Sequence, residues 1–358
     1  AAQNEWGAFG RPLFLDDNAR ALSRVGVVDV GSNSVRMVVF DGAARSPAYF
    51  YNEKILCGLG AGLREAGLLS PDGKERALSA IKRFQKLAQS MGIPPLTAVA
   101  TAAVREASDG PEFRDEIMQK TGLQLWVIDG EEEARLSAQG VLLGWPDARG
   151  LVCDIGGSSM ELAKVGDGKV GERITSPLGP LKLQGLKGGR KGIRNHIEPV
   201  MADLAEVMGT DHKRIYLVGG SWRAIARIDM ERRGYPLHVL HEYRMSARAV
   251  SKTIQYIKEN DLDAIRGKTG TSSARRALVP IASEVLRQLV RTFKPKEICM
   301  SSYGIREGML YEQMPASVRA RAPLLEACRF AAPTAARLPG VGTRLHRFLA
   351  PLFRARAS

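Results

Sequence analysis

The sequence has few of the residues on which metal clusters, disulfide frameworks and membrane spans depend. Its 358 residues include four cysteines and five histidines, and no two cysteines have CxxC spacing. Scattered cysteines of this kind are typical of reduced thiols in a cytoplasmic protein. No run approaches the roughly 18 apolar residues that a membrane span needs, so we expect no membrane partner. The sequence also has no readable Ser-His-Asp or Cys-His arrangement, which favours direct attack by water over a covalent intermediate.

Aromatic residues are also scarce, at 6%, whereas the net charge is +14. A positive excess of this size favours an acidic partner, such as nucleic acid or a phosphate-rich ligand. Basic side chains concentrate among glycines in residues 181–196, with a solvated loop as the alternative interpretation. No aromatic residue interleaves with them, although proteins that bind single-stranded nucleic acid use such rings to stack bases. The composition therefore disfavours nucleic acid and favours a bare polyanion.

Strand-like apolar runs alternate with segments of helical period, which predicts an α/β protein with partly parallel sheets. Two stretches of this chain match each other element by element, "VVDVGSNSVRMVVF" (27–40) and "LVCDIGGSSMELAKV" (151–165). In this alignment Asp29 corresponds to Asp154, and each aspartate is followed by a short glycine- and serine-containing loop. We therefore expect two related domains that each present one such hairpin to a shared cleft.

The loops of both hairpins have the composition of phosphate-binding turns. Glycine lets the backbone approach a ligand closely, and successive N–H groups then form a concavity that binds anions. Asp29 and Asp154 would repel phosphate directly, so we expect them to act through a cation such as Mg²⁺. Together with a third glycine-rich turn, the expected phosphate-binding residues are Gly31, Ser32, Asn33, Ser34, Gly156, Gly157, Ser158, Ser159, Gly219, Gly220 and Ser221.

Three consecutive glutamates, Glu131–Glu133, stand at the start of a predicted helix in "VIDGEEEARL". Acidic residues favour the first helical turn, which accounts for one or two of them. A further carboxylate could orient and deprotonate an attacking water in phosphoryl transfer. Near a second predicted strand–helix junction, Arg105 could balance charge on the transferred group or pair with Glu106 or another surface acid.

Seven segments, in the same order along the chain, resemble motifs of the exopolyphosphatase / guanosine pentaphosphate phosphohydrolase family. They are "DVGSNSVR" (29–36), "GLGAGLREAGLLS" (58–70), "ATAAVREA" (100–107), "GEEEARL" (130–136), "DIGGSSMEL" (154–162), "GGSWRAIA" (219–226) and "SYGIREGML" (302–310). This family belongs to the actin-like, sugar kinase and Hsp70 superfamily. The resemblance implies an α/β fold of two related actin-like (ribonuclease H-like) domains that face a central cleft. The expected boundaries are an N-terminal tail at 1–22, domain I at 23–136, domain II at 137–314 and a short helical C-terminal extension at 315–358.

The resemblance also implies roles for individual residues. Glu133 matches the catalytic base of the family, Arg105 its active-site arginine, and Asp154 an acid associated with Mg²⁺ and water. It implies Mg²⁺ or another divalent cation, for which the expected ligands are Asp29, Asp154 and Glu161. The positive excess suits a long polyanion held outside the site, and the expected contacts are Lys187, Arg190, Lys191 and Arg194.

The family removes terminal phosphate from inorganic polyphosphate or the 5′ γ-phosphate from guanosine pentaphosphate. The sequence does not rank these partners, and guanosine tetraphosphate stays open as a further ligand. Analogy with the family also implies a cytoplasmic homodimer. A kinase of the same superfamily is an alternative, disfavoured by the positive charge and by the Glu133 motif.

One position departs from the family pattern. The usual second loop reads Asp-Ile-Gly-Gly-Gly-Ser, and Ser158 stands where the third glycine would be. If that position required a positive φ or bare backbone, Ser158 would impair the fit of the loop to phosphate. This departure leaves open a sensor that binds polyphosphate or an alarmone without hydrolysing it.

Overall fold

The computed structural model describes residues 24–41, 45–93, 96–262, 273–335, 337–338 and 340–354. The predicted N-terminal tail at 1–22 lies outside the described residues. The first sheet has the strand order β3-β2-β1-β4-β5. Its strands are β1 (Arg24–Val30), β2 (Ser34–Asp41), β3 (Tyr49–Leu56), β4 (Thr97–Ala100) and β5 (Leu125–Val127).

The second sheet repeats the topology of the first. Its strands are β6 (Gly150–Ile155), β7 (Met160–Gly166), β8 (Lys169–Ser176), β9 (Arg214–Val218), β10 (Arg244–Met245) and β11 (Glu297–Met300), in the order β10-β11-β9-β6-β7-β8. In both sheets an antiparallel three-strand meander continues into two parallel strands, and β10 adds an antiparallel edge to the second sheet. This arrangement confirms the predicted α/β class with partly parallel sheets.

Helices connect and cover the strands. They are α1 (Leu63–Ala66), α2 (Pro71–Ser90), α3 (Ala102–Glu106), α4 (Gly110–Thr121), α5 (Gly130–Gly144), α6 (Pro180–Leu183), α7 (Gly189–Met208), α8 (Gly220–Arg233), α9 (Ala247–Glu259), α10 (Ser273–Phe293), α11 (Ile305–Gln313), α12 (Ala316–Arg319), α13 (Pro323–Ala335) and α14 (Val341–Arg354). Apolar residues recur near helical spacing in residues 71–92 and 273–293, and these two segments form α2 and α10. No described helix combines the length and the apolar character that crossing a bilayer requires.

One cluster of buried apolar side chains joins the two sheets. It contains Val27 and Val38 from the first sheet, Val152 and Tyr216 from the second, and many residues of α5 and α11. The expected domain boundary between residues 136 and 137 falls inside α5. Apolar side chains of this helix belong to the cluster that both sheets share. Separate clusters fill the remaining core of each domain.

Helices α5 and α11 cross at two glycines. A Cβ atom on Gly308 would lie 1.8 Å from the carbonyl oxygen of Leu136, and one on Gly140 would lie 2.2 Å from the carbonyl oxygen of Gly304. Both distances are far shorter than any real contact of a Cβ atom, so the two helix backbones pack directly on each other. The crossing fixes the position of α5 relative to α11, and both helices carry side chains that line the cleft between the domains.

Replacing Gly308 with alanine should destabilise the protein by about 1–3 kcal/mol or more, because the added methyl group would overpack the crossing. Urea unfolding followed by circular dichroism measures this change. Gly342→Ala is the matched control, since Gly342 also lies in a helix and a Cβ there would meet no atom within 4 Å. Equal free energies of unfolding for G308A and the wild type would contradict the direct crossing of the backbones.

Candidate active site

The two predicted hairpins have the same local geometry and face each other. The N–H of Gly31 donates to the carbonyl of Ser34 at 3.0 Å, and the N–H of Gly156 donates to the carbonyl of Ser159 at 3.0 Å. The hairpin loops meet across the cleft, where the hydroxyl oxygens of Ser32 and Ser158 lie 3.0 Å apart. The internal repeat seen in the sequence is therefore a repeat of backbone structure.

A cavity of about 160 Å³ lies between the hairpins. Ten of the predicted residues line it, namely Asp29, Gly31, Ser32, Glu133, Asp154, Gly156, Gly157, Ser158, Ser159 and Gly219, whereas Arg105 and Glu161 lie behind this lining. Four of the residues predicted to bind phosphate lie outside the lining, namely Asn33, Ser34, Gly220 and Ser221. Asn33 is exposed, and its backbone carbonyl accepts hydrogen bonds from the N–H groups of Cys57 and Gly58.

Gly219 brings the N-terminus of α8 against the strand that carries Asp154. Its φ of 118° is a conformation that residues with a side chain rarely adopt. A Cβ atom there would lie 2.5 Å from the carbonyl oxygen of Ile155 and 3.2 Å from Oδ1 of Asp154. Glycine is therefore required at this position for the helix terminus to approach the cavity.

Glu133 is the one of the three consecutive glutamates that is buried. Asp129 caps α5 by accepting a hydrogen bond from the N–H of Glu132 at 2.8 Å, which fixes the first turn of the helix. Arg105 donates to Oε2 of Glu133 at 3.2 Å and to the carbonyl of Ile128 at 2.8 Å. Arg105 therefore holds the Glu133 carboxylate at the cavity wall.

The other carboxylates each have a partner as well. Asp29 pairs with Arg306 at 3.1 Å, and the hydroxyl of Ser137 donates to Oδ2 of Asp154. Glu161 is the cross-strand neighbour of Asp154 and accepts a hydrogen bond on Oε1 from Thr175 at 3.0 Å. Its Oε2 atom is buried and has no hydrogen-bond partner in the described part of the chain.

Burial raises the pKa of these carboxyl groups. The pKa of Glu133 is raised to about 8, chiefly by desolvation, with Arg105 opposing the shift and the charge of Asp154 adding to it. Desolvation also raises the pKa of Asp29, of Asp154 and, well above its ordinary value, of Glu161. The cavity therefore favours protons or bound positive charge beside its carboxylates.

Arg306 and Arg223 line the cavity, although sequence reasoning assigned them no role. Arg306 follows Gly304 at the start of α11, within a segment recognised only as a family motif. Arg223 lies in the first turn of α8. In the sequence, both arginines follow a glycine that lies between a predicted strand and a predicted helix. Arg306 comes two residues after Gly304, and Arg223 comes four residues after Gly219. This shared pattern was the signal by which they could have been found.

The basic residues predicted to hold a polyanion lie away from the cavity lining. Lys187, Arg190 and Lys191 are exposed, before and at the start of α7. Arg194 is half-buried and pairs with Glu284 at 3.1 Å. None of the four lines the cavity, and their role stays a prediction.

Within the described ranges, no group of three or more His, Cys, Asp or Glu side chains is arranged to hold a metal ion. Asp29, Asp154 and Glu161, predicted together as ligands, thus do not form a ready-made cage. Mg²⁺ in phosphate sites is commonly bound by one or two carboxylates together with phosphate oxygens and waters. The unpartnered Oε2 of Glu161 and the raised pKa of Asp154 fit a cation of that kind.

Two α/β domains of the same strand order, each offering an aspartate and a phosphate-type hairpin to one cleft, define the actin-like class of phosphotransfer folds. The model of the Ppx/GppA phosphatase family matches residues 38–317. The chain belongs to this family.

Two known proteins show what the chain resembles in sequence. Exopolyphosphatase 1 of Mycobacterium tuberculosis is 34% identical over 163 residues, which are 45% of this chain and 47% of that protein. Retrograde regulation protein 2 of Saccharomyces cerevisiae is 26% identical over 89% of this chain and 60% of its own length. The chain spans about half the length of the mycobacterial relatives that it matches.

Solved structures share the fold. The Aquifex aeolicus member of the Ppx/GppA family superposes with a TM-score of 0.69 at 25% identity, covering 81% of this chain and 97% of the other. An exopolyphosphatase from Cytophaga hutchinsonii gives a TM-score of 0.73 at 23% identity, covering 80% and 96%. These likenesses confirm the expected two-domain actin-like architecture.

The raised pKa of Glu133 makes the stability of the metal-free protein depend on pH. The unfolded chain releases this proton near pH 4.5, whereas the folded protein keeps it until about pH 8. The carboxyl's contribution to stability is therefore complete below about pH 4.5 and is lost as the pH rises through about 8. In Glu133→Gln the free energy of unfolding should fall less steeply over this range, by up to about 1.4 kcal/mol per pH unit.

Urea unfolding in EDTA at pH values between about 5 and 9 measures this slope. The exposed neighbour provides the control, since Glu131→Gln should keep the wild-type slope. Parallel pH profiles for E133Q and the wild type would show that Glu133 titrates alike in the folded and unfolded chains.

Proposed function

We propose that this protein is a divalent-cation-dependent exopolyphosphatase, which hydrolyses the terminal phosphate of inorganic polyphosphate. The observation that carries the proposal is Glu133, a buried carboxylate of raised pKa held by Arg105 beside a cavity between two phosphate-type hairpins. A general base works best when its pKa lies near the working pH. The similarity to exopolyphosphatase 1 of Mycobacterium tuberculosis supports the same reaction.

In this mechanism the terminal phosphate lies between the loops at Gly31–Ser34 and Gly156–Ser159. Glu133 accepts a proton from a water whose oxygen attacks the terminal phosphorus. The bond from that phosphorus to the bridging oxygen breaks, and the shortened chain leaves with the bonding electrons. Arg105 orients Glu133, while Arg306 and Arg223 offset the negative charge of the phosphoryl group, as electrostatic stabilisation of phosphoryl transfer requires.

A divalent cation, of which Mg²⁺ is the one we favour, would be held by Asp154, with Asp29 or Glu161 as the second carboxylate. When bound, it would supply positive charge that offsets the charge of the phosphate and of the buried carboxylates. Asp29 is the weaker candidate because Arg306 already pairs with it. Glu161 is the stronger candidate, because its buried Oε2 atom has no hydrogen-bond partner among the described residues.

Glu133→Gln should lower phosphate release from long-chain polyphosphate by about 100-fold or more, because the amide cannot accept the proton from water. The assay is inorganic phosphate release with Mg²⁺, on protein whose circular dichroism matches the wild type. Glu131→Gln, at the exposed neighbouring position, should retain activity within about twofold. Unchanged release by E133Q would remove Glu133 from this role, and no release by the wild type with any divalent cation would overturn the activity.

Guanosine pentaphosphate hydrolysis is the second candidate, since the family name covers both activities. Among the described residues that line the cavity, none has an aromatic ring on which a guanine could stack. The exposed cations Lys187, Arg190 and Lys191 could instead follow a phosphate chain without reading a base. Both observations favour polyphosphate.

We expect kcat/KM to be at least about 10-fold higher for long-chain polyphosphate than for guanosine pentaphosphate, and we expect ATP not to serve as a phosphate donor to small alcohols or acids. A panel of polyphosphate lengths, guanosine pentaphosphate and ATP, each with and without Mg²⁺, tests this order. A preference for guanosine pentaphosphate would reverse the assignment. Tight binding of polyphosphate without turnover would identify a sensor instead.

A further inference from the structure

The side chain of Ser158 reaches across the cleft. Its hydroxyl oxygen lies 3.0 Å from that of Ser32, and both residues are buried at the cavity wall. A glycine at position 158, as in the usual family motif, would leave Ser32 without this partner. The departure from the family pattern therefore adds a direct hydrogen bond between the two domains.

Serine at this position fits the hairpin without backbone strain. Among the described residues, the only non-glycine positions with positive φ are Asp167, Glu242 and Lys294. Ser158 is thus not in the left-handed region, and a side chain there is compatible with the loop. The concern raised by the sequence, that serine would distort this turn, does not apply to its backbone.

Each serine lies in a loop that is held in place by contacts within its own domain. The carbonyl of Ser32 accepts a hydrogen bond from the N–H of Gly60 at 2.7 Å. On the other side, Gly179 packs so closely that a Cβ on it would lie 2.2 Å from the carbonyl carbon of Ser158. The carbonyl of Gly157 also accepts from the N–H of Leu181 at 2.8 Å. Neither loop can withdraw without breaking its own supporting contacts.

An exposed ion pair also joins the two domains. Lys182, in α6, pairs with Glu106, in α3, at 2.8 Å. Both side chains are about one-third exposed, and exposed ion pairs contribute little and weaken with salt. The buried hydroxyl pair is therefore less sensitive to salt than this ion pair.

The hydroxyl pair is also suited to an anion. Each hydroxyl has one donor hydrogen and can accept further hydrogen bonds. When one serine donates to the other, the second serine keeps its hydrogen for an acceptor in the cavity. A phosphate oxygen can thus bind without breaking the bridge, and a chain of hydrogen bonds strengthens each member.

We propose that Ser32 and Ser158 form a latch that holds the two hairpins together and couples closure of the cleft to the binding of a phosphate group. Only the identity of the anion rests on the proposed function. The latch biases the ligand-free protein towards the closed cleft, and phosphate increases that bias. Within the latch Ser158 fixes the two loops relative to each other, and whichever serine keeps its hydrogen also donates to the anion.

Amide hydrogen exchange of the full chain, with and without inorganic phosphate, tests the latch. In Ser158→Ala and Ser158→Gly, peptides covering residues 31–34 and 156–160 should exchange about 2- to 10-fold faster, the range expected for the loss of one hydrogen bond. The affinity for inorganic phosphate should fall by a similar factor. Ser158→Gly restores the usual family residue and Ser158→Ala keeps the Cβ atom, so agreement between them isolates the hydroxyl.

A double-mutant cycle tests whether Ser32 and Ser158 act through the same hydrogen bond. In the Ser32→Ala background, Ser158→Ala should have almost no further effect on exchange or phosphate affinity, because the latch is already lost. Ser90→Ala, which removes an exposed hydroxyl that bonds only to its own helix, is the surface control. Additive effects of the two substitutions, or wild-type exchange in both Ser158 variants, would overturn the proposal. Hydrogen exchange needs no turnover, so an inactive wild type would refute the reaction without refuting the latch.

Discussion

The concentration of carboxylates beside one small cavity is the constraint on which the rest of the site depends. Glu133, Asp154 and Glu161 are buried, and Asp29 is largely buried. An uncompensated buried charge costs several kcal/mol, so each group needs a partner or a proton. Arg105, Arg306 and two hydroxyl groups supply partners, yet all four pKa values stay raised. Protons or a cation bound beside these carboxylates would therefore stabilise the folded protein.

The crossing of α5 and α11 determines where those partners stand. Helix α5 carries Glu133 and Ser137, and Arg306 lies at the start of α11, so direct contact at Gly140 and Gly308 brings both sets of groups to one cavity. Glu307 then secures the start of α11. It accepts hydrogen bonds from the N–H of Gly304 and from the hydroxyl of Tyr49, both at 2.8 Å. Electrostatic balance in the site thus depends on the backbone packing of α5 against α11.

The features that the sequence predicted well are those set by local rules. Both hairpins could be recognised because alternating apolar residues, a glycine and short polar residues specify a strand, a turn and a strand within about fifteen residues. Glu133 could be selected among three glutamates only through the family resemblance, because helix polarity explains acidic residues at that place equally well. Arg306 and Arg223 escaped prediction because their positions depend on tertiary packing between distant segments. Asn33, although part of a correctly predicted loop, faces solvent, which no local pattern specified.

The two hairpins share a backbone conformation but differ in charge. In the first hairpin the cross-strand neighbour of Asp29 is Arg36, whereas in the second the neighbour of Asp154 is Glu161. Asp29 is therefore compensated within its own domain and by Arg306, while Asp154 faces a second carboxylate in the same hairpin. A divalent cation would relieve more repulsion in the second hairpin than in the first. Under the proposed function, the first hairpin would hold phosphate through backbone and hydroxyl donors alone, and the cation would be needed at the second hairpin.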